Sequence, residues 1–273
     1  MRLYIISLCL AAAFLLPSLS EPLDFSLGAF HAILGIPAIG LDYMRVFFHE
    51  LGHCVTFWLF GYPSVPSFDF EYGGGVTYPV LGRIWIVQGG VFAAMAAGLY
   101  YLCRPDGVLF NNERYPLLGV AIALTLLHLS LAFNDGHEVM ISFMGYGAEI
   151  ILGVFCIARA ILGLTLYGTV ERYLNMVFGL FVIGTNVALL SGLIYSDIIR
   201  SAYSLQKGGE MMGDFDKIAE TLDITVQSVA RGSLSYMVVM LIIGIAGIWW
   251  WKAKITSAPS SPAPGKKKSR QHP

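Results

Sequence analysis

Long uninterrupted apolar runs are the feature that most narrows what this chain can become. Crossing the hydrocarbon core of a bilayer takes about 20 apolar residues, with roughly 17 the practical minimum. The stretches Asp42 to Phe60, Arg83 to Cys103, Leu117 to Phe133, Gly147 to Leu166, Tyr173 to Tyr195 and Ser235 to Trp251 reach or approach that length. Leu27 to Ile39 is shorter and meets Pro37 and Gly40, so it reads as a half-span or the first part of a broken helix. Lipid offers a backbone no hydrogen-bond partners, which makes such runs helices. Composition agrees: 56% of the residues are hydrophobic and 13% charged, about half the charged share of a soluble domain. The expectation is an all-α polytopic membrane protein with about six to seven transmembrane helices. A formal net charge of -1 gives no footing for a nucleic-acid partner, and the bilayer itself is the first partner implied.

The ends and connections add detail. Residues 1–20 carry one Arg, an apolar run, Pro17, and Ser18 and Ser20 at the spacing a signal peptidase accepts, so they read as a cleaved signal peptide or a retained first transmembrane helix. Residues 21–168 form the membrane core and residues 169–255 a set of C-terminal helices. Within the latter, segment 196–234 holds Phe215, Ile218, Ala219 and Leu222 at helical spacing, a short amphipathic helix outside the core or at the membrane surface. In "PSVPSFDFEYGGGVTYP", Phe68, Phe70 and Tyr72 alternate with Asp69 and Glu71 before three glycines, the pattern of a β-hairpin. The run "WWWKAK" sets an aromatic belt against lysines, and 256–273 is a Pro/Ser/Lys-rich tail expected to be disordered and cytoplasmic. The four cysteines, Cys9, Cys54, Cys103 and Cys156, fit neither a disulfide framework nor a zinc ribbon and read as small packed hydrophobes.

One apolar segment breaks its own rule. His49-Glu50-Leu51-Gly52-His53 is HExxH. Residues four apart share a helix face, so both imidazoles can reach one metal ion, and Glu50 lies beside that face as a general base for metal-bound water. In an apolar helix three ionisable groups must find partners, and a zinc ion with its water would satisfy all three. A catalytic zinc normally takes three protein ligands and leaves one position open. The densest polar cluster elsewhere in the hydrophobic body is "LAFNDGHEVM", with Asn134, Asp135, Gly136, His137 and Glu138. Gly136 permits a helix break there, which would let a carboxylate face a cavity. Asp135 is the first candidate for the third ligand; His137, Glu138 and Glu149 are alternatives. His31 and His128 have no spacing partner and read as packed or hydrogen-bonded histidines.

With HELGH followed by a glycine-containing hairpin, two spans and Asn-Asp-Gly, the chain resembles the site-2 protease family of intramembrane zinc metalloproteases, over about Asp42 to Gly147. The resemblance implies His49, His53 and Asp135 as zinc ligands, Glu50 as base, and Asn134 as an orienting group for the substrate carbonyl or for Asp135. His137 stands as a further residue of the substrate region. It also implies membrane proteins or peptides as substrates. The Asp motif lacks the prolines of many members, and the remaining length holds no peptide-binding module. Two other classes stand beside this reading: an ion or solute transporter using Asp135, Glu138, Glu149 and Arg159, and a non-catalytic membrane scaffold that keeps the metal site. Arg159, Asn175 and Asn186 inside later spans are expected to make hydrogen bonds between helices.

Overall fold

The structure, a computed structural model, describes residues 2–20, 29–69, 74–104, 114–205 and 212–257. It is mostly helical. Helices α1 (Arg2–Ser20) and α2 (Ala29–Leu59) precede strands β1 (Ser64–Asp69) and β2 (Gly74–Pro79). Seven helices follow: α3 (Trp85–Cys103), α4 (Arg114–Leu131), α5 (Gly136–Leu162), α6 (Thr169–Tyr195), α7 (Asp197–Ser204), α8 (Asp214–Leu222) and α9 (Val226–Ser257). The basic tail beyond Ser257, residues 70–73 (with Phe70, Glu71 and Tyr72 of the expected hairpin pattern) and the side chain of His31 fall outside the described residues.

Among the described residues four helices are long and apolar enough to cross a membrane: Trp85–Cys103, Gly136–Leu162, Thr169–Tyr195 and Val226–Ile255. That is fewer than the six to seven expected, for identifiable reasons. The apolar parts of α1 and α4, Leu3–Pro17 and Tyr115–Leu131, are too short. Helix α2 is long enough at 31 residues but carries Asp42, Arg45 and Glu50 within nine positions. It also runs unbroken through Pro37, where a break was expected. A proline removes a single backbone donor, and packed membrane helices tolerate that loss.

The core lies where α5 and α6 pack along each other, with α2 and α8 on α5, α1 on α6, and α9 against both. Ile150, Leu190, Leu193, Phe215 and Ala230 are fully buried there. Helices α3 and α4 pack on one another and touch the rest through a smaller cluster of Phe60, Ala132 and Ile141. The approach of α2 to α5 is unusually close at Gly52: a Cβ there would stand 2.2 Å from the Met144 carbonyl oxygen and 2.6 Å from the Ala148 Cβ. The glycine of HELGH therefore sets how near α5 can come to the two motif histidines.

The hairpin is antiparallel, with Ser64 opposite Pro79 and Asp69 opposite Gly74. It is tied to the end of α2, where the Ser64 carbonyl accepts from Trp58 Nε1 and Cys54 Sγ. All four cysteines are free thiols.

Candidate metal centre

Helix α2 presents His49 and His53 one turn apart, their ring centroids 4.7 Å from each other. Their Nε2 atoms are 3.0 Å apart. Asp214 Oδ2 stands 3.0 Å from His49 Nε2 and 3.1 Å from His53 Nε2. These three atoms form a nearly equilateral triangle. Donors on a tetrahedral zinc at bond lengths of 2.0–2.1 Å are about 3.3 Å apart, so a small relaxation would seat an ion. Ligand atoms of His49, Glu50 and His53 also lie within 4.8 Å of one another, a group that could by itself hold a metal ion.

Protonation sharpens the fit. His53 Nδ1 is 2.7 Å from the Ile141 carbonyl oxygen, which only accepts, so that nitrogen carries the proton. His49 Nδ1 is 2.8 Å from Glu149 Oε1, a carboxylate already bonded to Arg45, so it donates as well. With both Nδ1 protons committed, two bare Nε2 lone pairs and a carboxylate oxygen converge on one point. A proton relieves one edge of that triangle; a cation at its centre relieves all three. Holding the far ring nitrogen to a carboxylate or carbonyl is the usual support of a metal-binding histidine.

Asp214 is the first residue of α8, where an acid suits the helix dipole. Burial alone would push its carboxyl up. When the two rings carry Nε2 protons, their charge and hydrogen bonds outweigh burial and hold it well below the usual carboxylate range. The next residue, Phe215, is fully buried and stacks on Tyr146 at 4.5 Å. Tyr203 Oη accepts from the Phe215 N–H at 3.2 Å. Asp214 is thus carried in by the packing of its neighbour.

Two missing side chains keep the site open. A Cβ at Gly145 would lie 2.4 and 2.5 Å from the two Nε2 atoms. One at Gly75, on β2, would lie 2.4 Å from Glu50 Oε1. Glu50 is itself buried, and its Oε2 accepts from Thr77 Oγ1 at 2.7 Å. The hairpin therefore does more than cap a surface: it holds the motif glutamate. His49, Glu50, His53, Gly75, Thr77 and Asp214 line a cleft of about 580 Å³ between α2, β2, the start of α5 and α8.

Asp135, expected as third ligand, is a correction. It is exposed, sits at the N-cap of α5 without a side-chain cap bond, and does not line the cleft. The part of α5 that faces the rings is Gly145, ten residues on and about 15 Å along the helix. Asn134 is likewise spent locally: its Nδ2 donates to the Ser130 carbonyl and its Oδ1 accepts from Gly136 N–H. His137 and Glu138 line the cleft, where His137 Nε2 accepts from the Tyr62 hydroxyl at 3.1 Å. Glu149 lies behind the His49 ring rather than at the point of convergence. His128 is packed and hydrogen-bonded, stacked on Phe60 at 4.7 Å and 3.1 Å from Gln88 Nε2.

Sequence reasoning passed over Asp214. The available signal was an acid at the first position of an amphipathic helix, one residue before a large apolar side chain, but Asp216 and Glu220 on the same helix look no different. No protein-family model, curated protein or solved structure matches the chain.

Proposed function

We propose that the protein is a membrane-embedded zinc metalloendopeptidase that hydrolyses peptide bonds of membrane-associated substrates. The observation that carries this reading is the convergence of His49 Nε2, His53 Nε2 and Asp214 Oδ2 at 3.0–3.1 Å beside a buried glutamate. It keeps the class implied by the resemblance to site-2 proteases and moves the third ligand from Asp135 to Asp214. Two imidazoles and one carboxylate, with a cleft in front, are a donor set suited to catalytic zinc.

When bound, zinc supplies a Lewis acid and brings the pKa of a coordinated water to about 7. The rest is work for side chains. Glu50 takes the proton of the attacking water and hands it to the leaving amine. The Thr77 hydroxyl, donating to Oε2, holds that carboxylate in place and leaves Oε1 for the proton. Strand β2 pairs with β1 along one edge. Gly74 to Pro79 line the cleft, which supports an unwound substrate segment lying beside that strand. A helical substrate must unwind first because its carbonyls are already hydrogen-bonded.

No observation favours transport or a passive scaffold over this reading. Of the residues a transport route would use, Glu149 is enclosed by His49, Arg45 and Asn186, and Arg159 pairs with Glu171.

The test compares membrane-fraction peptides from cells making the native protein or Glu50→Gln. Loss of the general base should reduce cleavage about 10²- to 10⁴-fold, while purified Glu50→Gln retains one tightly bound zinc. A fully active Glu50→Gln protein would defeat the reading.

A further inference from the structure

We infer that Glu149 is a positioning residue for the metal centre: its carboxylate holds His49 by the back of the ring, and Arg45 and Asn186 hold the carboxylate. This deepens the peptidase reading and rests on it.

Glu149 is completely buried on α5, one helical turn beyond the Gly145 that faces the motif rings. Each of its oxygens is used. Oε1 accepts from His49 Nδ1 at 2.8 Å and from Arg45 Nη1 at 2.8 Å; Oε2 accepts from Asn186 Nδ2 at 2.7 Å. Arg45 and His49 are four apart on α2, so a single carboxylate reads two successive positions of one helix face. Arg45 also pairs with Asp42 at 2.8 Å, and Asn186 anchors to the Val182 carbonyl of its own helix. The network spans α2, α5 and α6, with α6 reached only through Asn186 behind the carboxylate.

Stability is a weak reason for this arrangement. Replacing a buried ion pair with apolar residues of similar size is commonly neutral or favourable, so a carboxylate at zero exposure has another use. Its geometry names one. With Nδ1–H committed to Oε1, His49 is locked in the tautomer that leaves Nε2 as a lone pair, and the ring cannot turn away from His53 and Asp214. Supports of this kind govern metal affinity by about 10- to 100-fold.

The experiment measures zinc affinity of the purified full-length protein by competition with a chromophoric chelator, beside the visible spectrum of the cobalt-loaded form and the thermal midpoint without metal. R45M/E149L removes the buried carboxylate and its cation together, and Asp42, which loses Arg45, is 41% exposed and stays solvated. It should melt close to the native protein yet bind zinc about 10- to 100-fold more weakly, with an altered cobalt spectrum. R45M/E149Q restores an oxygen that accepts the Nδ1 proton and should recover most of the loss. E149D keeps the charge for Arg45 but withdraws it by one methylene; it should also bind more weakly, and it carries the test should the double variants not fold. Native affinity in R45M/E149L, or in E149D where that variant must stand alone, would overturn the role of Glu149 and leave the peptidase reading standing. A native protein that takes up no metal would overturn both.

Discussion

Asp214 and Asp135 are both aspartates in polar stretches of an oily chain, and only one of them meets the motif histidines. What separates them is the direction in which each is held. Asp135 precedes α5 and faces outward, whereas Asp214 opens α8 with its carboxylate 3.0 and 3.1 Å from the two rings. Asp214→Ala should therefore cost most of the zinc affinity, and Asp135→Ala should leave stoichiometry and affinity unchanged, as measured by metal analysis and chelator competition. The residue types of HELGH were legible without coordinates because helical spacing alone puts two imidazoles on one face. The partners of those residues were not. Thr77 beneath Glu50 and Glu149 behind His49 lie 27 and 100 positions away; Glu149 was legible as a candidate ligand, but its place behind the ring was not.

At the scale of elements, α8 is the unusual part. Its apolar face was readable from the spacing of Phe215, Ile218 and Ala219, all of which are buried. Leu222, at the far end of the same stripe, is exposed. The function of the helix was hidden because an amphipathic pattern states which face is buried and says nothing of what stands beside it. Phe215 docks α8 by stacking on Tyr146, whose ring in turn lies edge-on to His49 at 4.6 Å. Phe215→Ala should destabilise that docking by about 3–5 kcal/mol and weaken zinc binding while His49, Glu50 and His53 are all still present. Binding that favours the docked helix also protects it. Hydrogen exchange should show α8 amides losing protection on chelation while α5 and α6 keep theirs; equal protection with and without chelator would count against Asp214 as a ligand.

The whole molecule puts a polar centre at the junction of three kinds of structure: a long helix too charged to qualify as a membrane span, two apolar helices that do qualify, and a short helix that belongs to neither class. The charges that disqualify α2 by composition are those the tertiary structure spends, Arg45 on Asp42 and Glu149, and Glu50 on Thr77. A chain with four helices of spanning length should remain with the membrane through alkaline carbonate washing and be released only by detergent, which fractionation and blotting would read.

The amino-acid sequence by itself determined the helical membrane class, the hairpin, the paired imidazoles and their glutamate, because each is written in spacing over a few residues. Only the tertiary structure decided the third acid, the support of each ring and the wall of the cleft. Those depend on how closely α2 approaches α5 and on where α8 comes to rest, and both are properties of packing between segments distant along the chain.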